Sequence, residues 1–368
     1  MTFEQFASHP LVGNLASGGL STFEKVRRPV DLSRAASLEI DRDLYQEASA
    51  GGLTLSELLE RDEFDPSPHG ASLDAFERQL LLAGVRLSGN APTTVEQFFQ
   101  KAPTLMPEFV RREIRRGQAM RPELSKLIST STVVATNRYT PFFIDTSSDT
   151  NFALRPIGDG SDIPQLLVTE QTHTVTVRDY GLALKASYKA LRHRTAAQFQ
   201  VLLWYIGFKM QSDKIGMVVD CIINGDGNSN AATVVNTSAT GSLTYNDLIT
   251  LWSQFGKFEM NTMIAHTNTL KTILTLSEFK DPAAGYRFQQ SGELFSPLGA
   301  TLVRSDDVPT DYVIGLDRRF AIEEVITQPL LVEYDKIIEQ RFEEAVITES
   351  VTYAKVIRES SVILDSVF

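Results

Sequence analysis

Residues 155–164 read RPIGDGSDIP, residues 168–186 read VTEQTHTVTVRDYGLALKA, and residues 196–224 read AAQFQVLLWYIGFKMQSDKIGMVVDCIIN. The first segment is polar and rich in turn residues. The second is rich in threonine and valine, and its threonines alternate with other side chains at the two-residue period of a strand. The third predicts one long helix over 196–223, which stops at Asn-Gly-Asp-Gly. A projecting hairpin followed directly by a long helix is typical of a subunit that contacts its neighbours. It is an unusual way to build an enzyme pocket.

The hairpin and the helix both have predictable dimensions. Residues 130–143 are rich in β-branched and aromatic side chains and predict a strand, with 168–186 as its return partner. Ten paired residues on each side would reach on the order of 30 Å, and the helix would be roughly 42 Å long. We expect the tip, 145–165, to need a partner surface. The apolar residues predicted to lie along one side of the helix are Phe199, Leu202, Leu203, Ile206, Met210, Met217, Val218, Cys221 and Ile222.

Composition limits the class of protein. A chain of 368 residues exceeds the usual size of one core, which favours two lobes or one core with extensions. The sequence contains no run of eighteen apolar residues, so it predicts no membrane-spanning helix. The first residues lack the basic region and apolar run of a secretion signal. The one cysteine, Cys221, excludes an intrachain disulfide, favours a reducing compartment and is predicted to be a small core group. A formal charge of −11 argues against a protein whose main task is to coat nucleic acid, because that binding depends on neutralising phosphates.

The N-terminal third is polar and favours helices. Short amphipathic helices are predicted at 56–60, 73–82 and 94–99, the last opened by a Thr-x-x-Gln capping pattern. Residues 105–117 predict a helix framed by proline in its first turn and Gly117 at its end. Phe109, Val110 and Ile114 share one side of it. Its arginines, Arg111, Arg112, Arg115 and Arg116, form either a clamp for acidic surfaces or DNA phosphate, or a solvated face.

The C-terminal half predicts a separate α/β lobe at 243–326. Helices are predicted at 245–255 and 268–276, and short strands at 263–265, 300–303, 312–315 and 320–322. Residues 229–242 are small and polar, which indicates a loop or a boundary. Strand-like alternation returns over 330–363, and we expect these strands to pack beside the long helix.

The search for catalytic chemistry finds no candidate. The sequence has neither a phosphate-binding glycine loop nor a nucleophile elbow. The cluster at Asn224 departs from a calcium loop at Ser229 and Val235, so it predicts an ordinary turn. The five histidines are scattered without metal-ligand spacing. Glu323 and Glu324 are predicted to point apart as surface charge. We therefore predict no catalytic residue, no cofactor and no metal site.

Four segments, taken in their order along the chain, carry a resemblance to a known family. They are LMPEFV at 105–110, ALRPIGDGSDIP at 153–164, RDYGLALKASYKAL at 178–191 and IINGDG at 222–227. In this order the chain resembles the major capsid proteins of tailed bacteriophages, which have the HK97 fold. The four segments are similar, respectively, to the start of the N-arm, the tip of the extended loop, the entry into the spine helix and the stop of that helix. The resemblance covers about residues 104–360 and leaves 1–103 uncovered.

The resemblance implies an α+β fold of HK97 type. Its parts would be a helical N-terminal arm or added domain (1–103), an N-arm (104–129), an extended β-hairpin loop (130–187), a peripheral domain with the spine helix (188–242), an axial α/β domain (243–326), and return strands of the peripheral domain with the C-terminus (327–368). It implies hexamers and pentamers in an icosahedral phage head that encloses double-stranded DNA. Partners would be a portal protein, scaffolding or decoration proteins, and packaged DNA contacted non-specifically, in a virion assembled in the bacterial cytoplasm.

Within this scheme we expect specific contacts between subunits. On the extended loop they are Arg155, Asp159, Asp162 and Arg178, and on the N-arm they are Arg111, Arg112, Arg115 and Arg116. Some relatives join their subunits covalently through a lysine on the extended loop and an asparagine on the peripheral domain. Residues 139–184 contain no lysine and 331–368 no asparagine, so we predict no cross-link. We expect 1–103 to remain as an added arm or small domain.

Two other functions stay open. The same fold serves encapsulin-type compartments, whose shells hold an enzyme cargo, and co-purified DNA or cargo protein would separate the two. An enzyme built on the α/β lobe at 243–326 is the remote alternative, which no motif supports.

Overall fold

The fold is mixed α+β, and its chain divides into two compact units. The computed structural model describes residues 43–50, 53–61, 73–87, 91–143, 156, 159, 169–170, 173–191, 194–280, 297–337 and 342–368. One unit contains residues 1–120, 180–209 and 329–349, and the other contains 121–179, 210–328 and 350–368.

The described helices and strands follow in chain order. The helices are α1 (Asp43–Ala50), α2 (Leu55–Arg61), α3 (Ala75–Leu82), α4 (Val95–Lys101), α5 (Met106–Ala119), α6 (Tyr188–Leu191), α7 (Ala196–Asn224), α8 (Tyr245–Ser253), α9 (Thr267–Leu274) and α10 (Ser277–Lys280). The strands are β1 (Ile128–Val133), β2 (Arg138–Tyr139), β3 (Phe142–Phe143), β4 (Thr169–Glu170), β5 (Val175–Thr176), β6 (Arg178–Ser187), β7 (Thr233–Asn236), β8 (Thr262–Ala265), β9 (Thr301–Arg304), β10 (Tyr312–Leu316), β11 (Ile322–Ile337), β12 (Phe342–Lys355) and β13 (Ser361–Asp365).

The predicted N-terminal helices are confirmed as α2, α3 and α4. Capping boxes open all three: Thr54 with Glu57 at α2, Asp74 with Glu77 at α3, and Thr94 with Gln97 at α4. Their apolar faces are buried, and the Phe98 ring lies 5.1 Å from that of Phe109 on α5. These helices therefore pack on α5 within one unit.

The predicted end of α5 at Gly117 is wrong, because the helix continues to Ala119. Gly117 has a packing role instead. A Cβ there would lie 2.7 Å from Trp204 Cα, and a Cβ on Gly207 would lie 2.9 Å from Gln118 N. The two glycines let α5 and α7 approach almost to backbone contact.

The predicted hairpin between 130–143 and 168–186 is confirmed only near its middle. β2 pairs antiparallel with β5, and β3 with β4. The outer segments pair elsewhere: β1 pairs in parallel with β11, and β6 is next to β12 in a sheet of order β1-β11-β12-β6. The tip lies outside the described residues except for Pro156 and Asp159, which are both exposed.

The long helix is confirmed as α7, with 29 residues. Gly225, at φ +77°, follows its last residue, as the glycine-rich stop predicts. Ile215, Val218 and Ile222 lie in a core that also contains Val351 and Tyr353 of β12, so the expected packing of C-terminal strands against this helix is confirmed.

The C-terminal half builds a five-stranded sheet of order β7-β13-β10-β8-β9. The predicted helices and strands of 243–326 correspond to α8, α9 and β8 to β10, and the strand expected at 320–322 is the start of β11. Residues 229–242, predicted as a loop or a boundary, also contain a strand, because β7 pairs in parallel with β13. This sheet therefore takes strands from both sides of 243–326.

Candidate assembly surfaces

Arg112 is the centre of a polar network inside the helical part of the chain. Its guanidinium donates to Asp74 (2.6 Å), to Glu108 (2.8 Å) and to Ser56 Oγ (2.8 Å). The Arg112 guanidinium also lies 4.4 Å from the centre of the Phe76 ring. Burial would lower the pKa of Arg112, but the two carboxylates outweigh it and raise the pKa above its ordinary value. Arg112 thereby joins α2, α3 and α5.

Arg116 belongs to a second network, centred on Glu113. The Glu113 carboxylate accepts from Trp204 Nε1 (2.5 Å) and from Gln200 Nε2 (3.1 Å), both on α7. Arg116 NH1 lies 3.5 Å from Glu113, and its guanidinium carbon lies 5.8 Å from the Trp204 ring centre. This network connects α5 to α7 beside the two glycines.

Arg111 and Arg115 lie in a different environment. The Arg111 side chain is 12% exposed and stands 3.8 Å from Glu108. Its Nε is buried without a hydrogen-bond acceptor among the described residues. Burial, and next the charge of Arg111, lower the pKa of Arg115. The four arginines of α5 thus fall into two groups: Arg112 and Arg116 each have a carboxylate and an aromatic partner, whereas Arg111 and Arg115 are poorly compensated.

The residues predicted on the extended loop are only partly described. Arg155 and Asp162 lie outside the described residues, whereas Asp159 and Arg178 are exposed. Within the described part of the chain, no hydrogen bond or ion pair brings Asp159 and Arg178 together.

The base of the loop is fixed by groups that sequence reasoning missed. Glu323 on β11 accepts from Tyr139 Oη (2.9 Å) and from Thr132 Oγ1 (2.5 Å). Burial, and then the bond to Glu323, raise the pKa of Tyr139 to about 12. Glu323 is 9% exposed, so the prediction that it is surface charge is wrong. The prediction failed because Thr132 and Glu323 are far apart in sequence.

The loop is also held at its return strand. Asn228 follows α7, and its side-chain amide pairs with the His173 backbone in both directions. His173 N donates to Asn228 Oδ1 (3.0 Å), and Asn228 Nδ2 donates to His173 O (3.3 Å). The turn after the long helix thereby fixes the chain at His173, near the root of the predicted extended loop.

A stripe of large apolar side chains is exposed on the first half of α7. Val201 is 58% exposed, Leu202 42%, Tyr205 65% and Phe208 40%, and we call these four residues the α7 stripe. Leu203 and Ile206, on the other side of the helix, are buried. Leu202, which the sequence groups with Leu203 and Ile206 on one side, is exposed whereas those two are buried. Sequence periodicity cannot choose the buried face of a helix that is apolar nearly all round.

Beside the end of α7, Lys355 carries a buried amine. Lys355 is 1% exposed, and its Nζ has no hydrogen-bond partner among the described residues. Burial lowers the pKa of Lys355 to about 8. Cys221 is buried, as predicted, and burial raises the pKa of its thiol to about 12. A thiol with such a pKa is protonated at neutral pH and therefore unreactive.

Two other kinds of site are absent from the described residues. No helix in the described ranges has the length and apolar character to cross a membrane. Over the same ranges, no three His, Cys, Asp or Glu side chains cluster so that they could hold a metal ion.

Comparison with known proteins gives a likeness to solved structures alone. No protein-family model and no curated protein matches the sequence. The chain is similar to a virus-like particle from Pyrococcus furiosus, with 12% identity over 70% of this chain and 98% of the other, and a TM-score of 0.48. It is similar to the capsid of an empty GTA particle, with 13% identity over 67% and 89% and a TM-score of 0.48. It is also similar to the holo-SrpI encapsulin complex from Synechococcus elongatus, with 15% identity over 67% and 87% and a TM-score of 0.45.

Proposed function

We propose that the chain is a shell subunit, a phage-type major capsid protein that assembles into hexamers and pentamers of an icosahedral head around double-stranded DNA. The observation that carries the proposal is the α7 stripe. Its four side chains expose on the order of 350 Å² of apolar surface, which is the size of a functional patch on a monomer. A second copy is the partner we propose, because a shell presents every copy with the same neighbours.

The stripe fits the centre of an interface better than a ligand site. An interface of standard size buries about 800 Å² on each partner, and the stripe supplies roughly half of that as an apolar core. Tyr205, the most exposed of the four, is an aromatic of the kind that dominates binding energy in interfaces. The inner side of the same helix is held on α5 through Glu113 and the two glycines. The stripe is therefore presented on a supported helix.

The proposal also includes the contacts expected from the resemblance. On the extended loop, Arg155, Asp159, Asp162 and Arg178 would contact a neighbouring subunit, and the anchored root described above supports such a limb. Charge reversal at Arg155 should lower particle yield, and an unchanged yield would remove that residue. Portal, scaffolding or decoration proteins would be further partners. We propose that shells form without covalent links, so a ladder of cross-linked chains on a denaturing gel would contradict this part.

The described α/β lobe lends no support to an enzyme. Its buried carboxylates of lowered pKa, Asp247 and Asp317, are occupied in internal bonds. Asp247 accepts from Thr244 and Ser238 at the start of α8, and Asp317 accepts from Asn261 and Arg319. Neither is available as a general base.

The test compares Tyr205→Glu with Tyr205→Phe. The purified wild-type protein should elute as a large assembly and show closed particles by negative-stain microscopy. Tyr205→Glu places a charge in the stripe and should leave only small species. Tyr205→Phe keeps the apolar surface and should assemble normally. A wild type that remains a monomer at high concentration would refute the proposal. Particles containing a cargo protein in place of DNA would point to an encapsulin-type compartment.

A further inference from the structure

Arg111 and Arg115 form a like-charged pair one helical turn apart on α5. Side chains at this spacing on a helix are neighbours, and equal charges there are unfavourable. Both side chains are largely removed from water. A charged group in that position normally has a compensating partner.

The nearby carboxylates do not provide that partner. Glu108 Oε1 accepts from Arg112 Nε at 2.8 Å, and Glu108 Oε2 is buried without a hydrogen bond, 3.8 Å from Arg111. Glu57 accepts from the backbone N of Thr54 at 2.7 Å, so it caps α2. Glu57 and Glu349 influence Arg115 electrostatically, but no ion pair within 4.0 Å joins either to it in the described part of the chain.

The other two arginines of α5, Arg112 and Arg116, have compensating partners within the subunit. Arg112 has two carboxylates, a hydroxyl and an aromatic ring, and Arg116 has Glu113 and Trp204. Arg111 has one distant carboxylate that is already bound to Arg112, and the pKa of Arg115 is lowered by burial and by the charge of Arg111. Among the described residues, Arg111 and Arg115 therefore lack the partners that Arg112 and Arg116 have on the same helix.

We propose that Arg111 and Arg115 together bind a carboxylate side chain of a second copy of this chain. The proposal rests on the proposed shell function and names the chemistry of one of its contacts. Two guanidinium groups match the planar, two-oxygen geometry of a carboxylate. Each copy supplies 46 Asp and Glu against 35 Lys and Arg, so acidic groups are abundant on any neighbour.

Nucleic acid is the less favoured anion. Binding DNA requires the neutralisation of many phosphates, and a subunit with a charge of −11 repels them. The Arg111 side chain is only 12% exposed. A single carboxylate on a neighbouring loop can reach such a group, whereas a duplex backbone presents its phosphates along a broad surface.

The proposal predicts opposite effects on the free subunit and on the shell. In the free subunit, Arg115→Met removes a desolvated charge and its repulsion from Arg111, so the melting temperature should rise by about 2 °C. In the shell, the same change removes a contact that symmetry repeats in every copy. Particle yield should therefore fall at least about tenfold. A residue with a purely internal role would lower the melting temperature.

The experiment measures both quantities in three proteins: wild type, Arg115→Met and Arg86→Met. Arg86 is exposed in the same unit and has no side-chain partner in the described region, so it controls for the loss of one positive charge. The melting temperature is taken from the small species isolated by size exclusion, and the yield of particles from the large species. Arg115→Lys, which keeps the charge without the planar donors, should show an intermediate yield. It is also the variant to measure if Arg115→Met does not fold.

The possible results separate the inference about Arg111 and Arg115 from the proposed function. If wild type and both arginine variants assemble equally, the inference fails and the proposed function survives. If wild type does not assemble, both fail. A lower melting temperature for Arg115→Met would make Arg115 an internal residue and overturn the inference. Particles of normal yield with reduced nucleic acid content would assign the pair to phosphate and also overturn it.

Discussion

Gly117 on α5 faces the backbone of Trp204 on α7 so closely that a Cβ at Gly117 would lie 2.7 Å from Trp204 Cα. Helices usually pack 8–10 Å apart, and such an approach requires a residue without a side chain. The contact brings Glu113 within hydrogen-bonding distance of Trp204 and Gln200. One glycine thus permits both the packing of these helices and the network beside it.

The first prediction concerns this contact. Gly117→Ala should destabilise the protein by about 1–3 kcal/mol, because the added methyl group meets backbone that cannot rotate away. Alanine favours helices over glycine by about 1 kcal/mol, so a helix without the contact would become more stable. Urea unfolding of wild type and Gly117→Ala measures whether the free energy of unfolding falls or rises. Gly256→Ala, at a position with φ +53° and open space around it, is the control for the loss of a glycine in a turn.

The second prediction concerns the attachment of the N-terminal helices. Arg112→Met leaves the carboxylates of Asp74 and Glu108 without their cation, and Glu108 is 1% exposed. Breaking a buried ion pair from one side costs about 3–5 kcal/mol. We expect limited proteolysis to cut within residues 43–105 much faster in Arg112→Met than in wild type. Equal cutting rates would show that these helices are held by apolar packing alone.

The third prediction concerns acid stability. Burial would raise the pKa of Asp317, but the bonds from Arg319, and from the Glu259 backbone and Asn261, outweigh it and hold the pKa below its ordinary value of 3.8. Asp317 therefore contributes stability that is complete above pH about 4 and is lost as the pH falls through the folded-state pKa. Asp317→Asn should cost roughly 2–4 kcal/mol at pH 7.

Measuring the free energy of unfolding against pH tests this assignment. The difference between wild type and Asp317→Asn should shrink as the pH falls below 4, because the wild-type carboxylate becomes protonated. A difference that stays constant down to pH 2 would show that Asp317 acts through its shape and not through its charge.

The fourth prediction concerns the buried amine of Lys355. Its pKa is about 8, against an ordinary value of 10.5, so folding disfavours the charged form. Below pH 8 both states are protonated and the penalty is complete. Between pH 8 and 10.5 the folded state binds fewer protons than the unfolded state, so stability rises with pH. Lys355→Met should raise stability at pH 7 by about 1–3 kcal/mol and remove that rise. Lys257→Met, at an exposed position, should do neither.

Local chemistry made much of the fold predictable. Thr94 and Gln97 mark the start of α4 because both groups of a capping box lie within four residues. The end of α7 is predictable from Gly225, whose positive φ is costly for other residues. In each case the physical cause lies beside the residue in the sequence.

Long-range relationships were not predictable in this way. The parallel pairing of β1 with β11 joins residues about 190 positions apart, and no local pattern specifies it. In sequence Gly117 is typical of a helix end, and only the structure shows that it packs against the backbone of Trp204. The four arginines of α5 look alike in sequence, because the residues that distinguish them, Asp74 and Trp204, come from other helices.

Cys221 on α7 is buried against β12, so the reactivity of its thiol reports the separation of this helix from this strand. Its Sγ lies 3.5 Å from the Tyr353 carbonyl oxygen, and the chain has no second thiol to confuse the signal. A thiol reagent can react there only while the helix and the strand are apart. The rate at which one label enters each chain therefore measures how often α7 and β12 separate at this point.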